Sequence, residues 1–212
     1  LEVGCPAPTI AQAVYARSIS SFKELRTQGS SLLAGPQQET LSKEEQQLVI
    51  EQLHDAMYCA KICAYAQGFQ LMKLAAKEHG WTLDFASIAK IWRAGCIIRA
   101  AFLQSITNAY ERDENLNNLL LDDFFVKELN NRQQNWRKAI CHATMHGVPI
   151  GALSSSLAYY DSMRSETLPA NLLQGQRDFF GAHTFERTDK TAGKKYHVQW
   201  STQGKETILI DG

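Results

Sequence analysis

No apolar run in this 212-residue sequence approaches the length of a membrane-spanning helix, and its first residues carry no basic, apolar, small-residue leader pattern. No membrane partner is expected. A charge excess of either sign is also absent: 22 Lys and Arg stand against 22 Asp and Glu. No whole-molecule field draws in nucleic acid, and no Lys/Arg run is interleaved with aromatics, so no nucleic-acid partner is expected. GxGxxG, a P-loop and any strand–glycine loop–helix unit are missing, so no residue is assigned to cofactor binding. The five cysteines, at positions 5, 59, 63, 96 and 141, form no CxxC pair. They read as buried thiols of a reducing compartment, the cytoplasm, rather than as disulfides or metal ligands. The first residue is Leu and not Met, which suggests a trimmed or excised product.

What the sequence does have is helical period. A first helix is predicted from about Thr9 to Leu33, with Thr9 as its cap and Gly35-Pro36 as its stop. Ile10, Val14, Ser21 and Leu25 share one face, and Arg17 falls in the middle of it. A full charge inside an apolar stripe needs a partner. It is either a salt-bridged or snorkelling side chain, or one arm of an anion site. Ser42 with Glu45 has capping-box spacing and opens a long helix that His79-Gly80 stops. Val49, Leu53, Met57, Ala60, Ala64, Gly68, Leu71 and Ala75 are expected to form its buried stripe. Ala56, Ala60, Ala64 and Gly68 make a seam of small residues for close helix approach.

Asp84 caps the next predicted helix; Gly95 interrupts the pattern, bracketed by Arg93 and Arg99. Asp122 or Asp123 caps another helix, which runs to about Gly147. His142 and His146 have metal-ligand spacing, but the sequence between them lacks the HExxH glutamate, and a helix C-terminus favours His by its dipole alone. No metal-binding residue is assigned. A further helix spans about 150–164, its three serines (154–156) marking tight packing or a polar crevice. Residues 187–212 lose the helical period and read as an extended tail. Trp200 and Ile208-Leu209-Ile210 are too apolar for a solvated tail, so it is expected to dock on its own surface or a neighbour's.

The densest stretch is PANLLQGQRDFFGAHTFE, residues 169–186. Leu172, Leu173, Gln176, Phe179 and Phe180 repeat at helical spacing, and Gly181 occupies the place of a positive-φ stop. Arg177 lies one turn before that stop and His183 two residues beyond it. Together they offer a guanidinium fork and an imidazole to a phosphate or carboxylate.

Several segments resemble the decarboxylating 6-phosphogluconate dehydrogenases: IAQAVYARSISSFKELR, AKICAYAQGFQLM, IWRAGCIIRAAFL, NLLLDDFF and AYYDSMRSETLPANLLQGQRDFFGAHTFERTD. The resemblance covers about residue 3 to at least Trp200. It implies an all-α fold: a multi-helix substrate and dimerisation domain over residues 1–186, and an extended C-terminal tail, 187–212, that threads into the other subunit of a homodimer. The family adds an amino-terminal Rossmann domain for NADP, with a catalytic lysine and glutamate in a segment resembling VKMVHNGIEY. That motif does not occur here, so no catalytic residue is assigned.

Family enzymes oxidise the C3 hydroxyl of 6-phosphogluconate by hydride transfer to NADP, lose CO₂, and protonate the enediol to give ribulose 5-phosphate in the pentose phosphate pathway. By motif, Arg17 in AVYARSISS matches the family arginine that contacts the substrate phosphate. Arg177 in QGQRDFFGAH and His183 in FGAHTFE match the pair supplied to the substrate site by the partner subunit. The sequence therefore reads as a helical-domain fragment of such an enzyme, inactive by itself and exposing apolar surface where neighbouring helices would lie. The alternative is a free-standing helical dimerisation or interaction domain without redox activity.

Overall fold

A computed structural model describes residues 2–37, 40–93 and 102–210. The chain forms two compact units, Leu1–Met163 and Arg164–Gly212. The first unit contains α1 (Pro8–Ser20), α2 (Lys23–Leu32), α3 (Lys43–His79), α4 (Phe85–Ile91), α5 (Phe102–Arg112), a 3-10 turn at Leu119–Leu121, α6 (Asp123–Met145) and α7 (Gly151–Met163). It is the all-α bundle expected. The interruption predicted at Gly95, with Cys96 and Arg99, lies outside the described residues.

Side-chain caps set the starts of α3, α4 and α6. Ser42 and Glu45 exchange hydrogen bonds as a capping box at the start of α3, and Gly80 closes that helix at φ 68°. Asp84 accepts from Ser87 N–H to start α4, and Asp122 accepts from Phe124 N–H to start α6. Two boundaries differ from expectation. The first predicted helix is two helices, broken at Ser21–Phe22 without a glycine or proline. Thr9 does not cap it: its N–H donates to Gln67 Oε1 at 3.0 Å, and Gln67 Nε2 donates back to Thr9 Oγ1 at 2.9 Å. This reciprocal pair ties α1 to the middle of α3 and satisfies a fully buried glutamine.

The core forms where α3 lies along α6, through Ala56, Cys59, Ile62, Cys63 and Phe69 on one side and Phe125, Leu129 and Trp136 on the other. α5 closes it with Leu103 and Ile106. The buried stripe of α3 is thus rotated from the expected one. Ala56 and Ala60 are buried, but Leu53, Met57 and Leu71 face solvent. Small residues, including two cysteines, permit the close α3–α6 approach, so the larger side chains turn outward. Burial pushes the Cys59 thiol up to about 12 and raises that of Cys63 further, which keeps both protonated and unreactive.

α7 packs on α1 and α3. Ser156 is buried and donates to Ala152 O at 2.6 Å, so here the serine run serves tight packing. Gly151 admits α1, since a Cβ there would come within 2.9 Å of Gln12 Cγ. Arg137 grips Asp161 with both terminal nitrogens, at 2.8 and 2.5 Å, and pins α6 to α7.

The second unit contains α8 (Asn171–Gly181) and three short strands, β1 (Phe185–Glu186), β2 (Lys195–Val198) and β3 (Thr207–Ile210). The strands are antiparallel in the order β1-β2-β3, with Phe185 opposite Tyr196 and Tyr196 opposite Leu209. The extended pieces predicted at 196–200 and 207–210 are therefore β2 and β3, paired with each other.

Candidate functional site

In the second unit, the sequence pattern of α8 suggests an apolar buried face, and the structure has the reverse. Leu172 is 88 % exposed and Phe180 76 %, while Asp178 is 0 % exposed. An uncompensated buried carboxylate costs several kcal/mol, so it must find donors. Asp178 Oδ1 accepts from Thr184 N–H at 3.1 Å and His197 Nδ1 at 2.8 Å. Its Oδ2 accepts from Val198 N–H at 3.0 Å and Trp200 Nε1 at 2.9 Å. Burial pushes its pKa up, but these hydrogen bonds outweigh that and hold the carboxyl below its ordinary value.

The sign of this shift sets a pH dependence. A carboxyl with a folded pKa below its unfolded one, about 3.9, stabilises the fold above that value and loses the contribution as pH falls through the folded pKa. Arg187 and Asp189 form an exposed pair in the same unit, which holds Asp189 down to about 2. Acid titration should therefore give a change in Trp200 fluorescence below about pH 4. Asp178→Asn should remove that step and leave the Asp189 titration in place. A Trp200 signal flat down to pH 2 would contradict it.

Asp178 also sets the turn that follows α8. Gly181 stays helical, and the left-handed stop falls on Ala182 at φ 50°, with Thr184 at φ 57°. The expected positive φ at Gly181 is thereby corrected. The Asp178 carboxylate captures Thr184 N–H and bends the chain one residue later. Gly181 has another use: a Cβ on it would lie 2.8 Å from His183 Nε2, so the glycine leaves room for the imidazole.

Arg177 and His183 are exposed, and among the described residues neither has a hydrogen bond or ion pair. His183 and Thr184 line a cleft of about 450 Å³ with Gln174, Glu186, Lys195 and Trp200. Arg177 is not part of that lining.

Arg17 belongs to the first unit, in the last turn of α1. The face around it is not buried. Ile10, Val14 and Leu25 are exposed, so the expected apolar stripe is an open surface. No carboxylate meets Arg17 among the described residues; its Nη1 donates to Ser20 Oγ at 3.3 Å. Arg26 reaches the same residue, Nη2 donating to Ser20 O at 3.0 Å. Two guanidinium groups thus share one serine, and among the described residues neither forms an ion pair with an acid, an arrangement suited to an anion. Arg26 carried no signal in the sequence, because the break at Ser21–Phe22 that folds it back was not visible there.

His142 and His146 stack with ring centroids 4.1 Å apart, and His146 Nδ1 bonds His142 O at 2.8 Å. Among the described residues no three His, Cys, Asp or Glu side chains converge as metal ligands. No described helix is long and apolar enough to cross a membrane. No described strand leads into a helix, so these residues build no cradle for a dinucleotide pyrophosphate.

Comparison with known proteins places these features in a family context. The model of the 6-phosphogluconate dehydrogenase C-terminal domain matches residues 1–200. The chain is 49 % identical over 200 residues to the NADP(+)-dependent, decarboxylating 6-phosphogluconate dehydrogenase of Bacillus subtilis, covering 94 % of this chain and 42 % of that protein. It is 46 % identical over 204 residues to the decarboxylating 6-phosphogluconate dehydrogenase of Mus musculus, covering 96 % and 42 %. A solved structure of Plasmodium falciparum 6-phosphogluconate dehydrogenase, described in apo form and in complexes with NADP+ and with 6-phosphogluconate, superposes with a TM-score of 0.86. It is 44 % identical, over 94 % of this chain and 42 % of that one. The chain spans about 42 % of the length of the curated relatives it matches.

Proposed function

Since the chain belongs to the 6-phosphogluconate dehydrogenase family, we propose that it is the helical, substrate-binding portion of a homodimeric cytoplasmic enzyme that converts 6-phosphogluconate to ribulose 5-phosphate with NADP. Arg17, Arg177 and His183 are its contribution to the substrate site. One observation supports this most directly: Arg17 and Arg177 are cations that meet no carboxylate among the described residues. A phosphate dianion supplies the missing negative charge, and two planar forks, Arg17 of one subunit and Arg177 donated by the other, hold it through charge-assisted hydrogen bonds.

These groups bind and orient; they do not move the reacting protons. Gripping the remote phosphate fixes the sugar-acid chain, so that the carbons to be oxidised sit where the rest of the site needs them. No step of the oxidation is assigned to these residues. The free thiols at Cys5, Cys59, Cys63 and Cys141 suit a reducing compartment. A second reading, an interaction domain without redox activity, draws on the exposed Ile19, Phe22, Leu172 and Phe180.

The test joins this chain behind the cofactor-binding portion of the Bacillus subtilis relative. The hybrid should form NADPH in the presence of 6-phosphogluconate, while the 212-residue chain alone forms none. A folded hybrid without activity would support the interaction-domain reading, and NADPH formation by the chain alone would contradict the division of labour.

A further inference from the structure

Among the described residues, three non-glycine residues have positive φ, and two of them, Ala182 and Thr184, flank His183. Residues bearing a Cβ persist in that conformation only where their surroundings over-determine it, and such clusters mark places where a side chain is being aimed. Here the constraint is visible from both sides of one residue. Thr184 N–H donates to Asp178 Oδ1 at 3.1 Å, and Thr184 O accepts from Gln174 Nε2 at 2.5 Å. Gln174 and Asp178 are one turn apart on the same face of α8, so a single rigid element grips both polar groups of Thr184.

Asp178 is itself immobilised. His197, Val198 and Trp200 occupy the rest of its acceptor capacity, from a part of the chain 19 to 22 residues further on. Its oxygens cannot swing away without unmaking β2. Full burial also keeps the carboxylate from meeting a ligand directly. Through the turn it holds, its influence reaches an exposed imidazole, that of His183. The ring lies back over Gly181, where any Cβ would collide with it.

We propose that Asp178, with Gln174, is a positioning residue for His183: by clamping Thr184 it holds the imidazole in the orientation that meets the substrate, without touching substrate itself. The proposal rests on the reading of His183 as a substrate-binding residue. A purely structural Asp178 would instead affect the whole unit and every function of it alike.

The test is a double-mutant cycle in the dehydrogenase holoenzyme. Asp178→Asn and Gln174→Ala are each made in the native sequence and on a His183→Ala background. In the native sequence each should raise the KM for 6-phosphogluconate about ten-fold while kcat changes less than about two-fold. On the His183→Ala background neither should add to the loss already present. Equal losses on both backgrounds, or no loss on either, would overturn the proposal. If Asp178→Asn does not fold, Gln174→Ala carries the same comparison, since it releases only Thr184 O.

Should His183→Ala leave KM unchanged, the substrate role of His183 fails, and the clamp is decided separately in the 212-residue chain. There, Gln174→Ala or Asp178→Asn should speed hydrogen exchange at the Thr184 amide about ten-fold and move the His183 ring resonances towards random-coil values. Unchanged exchange and an unchanged ring signal would overturn the clamp as well.

Discussion

Arg177→Lys should raise the KM for 6-phosphogluconate about ten-fold or more in the active enzyme, with a smaller change in kcat. The two side chains carry the same charge, so the difference isolates geometry. A guanidinium presents parallel N–H groups that meet two phosphate oxygens at once, whereas an ammonium acts as a point charge and keeps its own hydration shell. Losing one charge-assisted hydrogen bond costs about 1.5–3 kcal/mol, and each 1.4 kcal/mol is about ten-fold in affinity. Arg177 is exposed and makes no hydrogen bond or ion pair among the described residues, so its replacement breaks none. The loss should therefore appear in KM and not in thermal stability. An unchanged KM, or a matching fall in Tm, would assign Arg177 to the scaffold.

The helical framework was legible in the sequence because its punctuation is local. Ser42 with Glu45, Gly80, Asp84 and Asp122 each act within a few residues of where they stand, and each does so in the structure. Which face of α3 is buried was not legible. Leu53 and Met57 outweigh Ala56 and Cys59 in hydrophobicity, but the small residues let α6 approach most closely. The break between α1 and α2 carried no glycine or proline to announce it.

Arg17, Arg177 and His183 were legible as types: an arginine within an apolar pattern, and an arginine and histidine around a helix end. Asp178 was not. A single carboxylate on an amphipathic helix reads as solvated, and three of its four donors lie in residues 197–200, beyond the helical period. A signal was nonetheless present. Gln174 and Asp178 are a polar pair at one-turn spacing in a helix whose other side chains include Leu172, Leu173, Phe179 and Phe180. An exposed apolar face opposite a buried polar one fits a segment whose outer surface is itself covered by another chain.

That inversion leads to the second large effect. If Arg177 and His183 are donated across a homodimer to a site containing the other subunit's Arg17, two crippled enzymes can repair each other. Arg17→Ala and Arg177→Ala homodimers each lack one guanidinium in every site. In a mixed dimer, one site combines the intact Arg17 of one subunit with the intact Arg177 of the other, while its counterpart lacks both. Random one-to-one assortment makes about half of all dimers mixed, each with one good site out of two, so about a quarter of native activity should return.

The most direct measurement is therefore the 6-phosphogluconate-dependent rate of NADPH formation after co-refolding or co-expressing the two variants. Recovery to about a quarter of the native rate is the result expected of a site shared between subunits. Dimers that mix freely yet stay at the level of the separate variants would show that Arg17 and Arg177 serve the same subunit, or no common site at all.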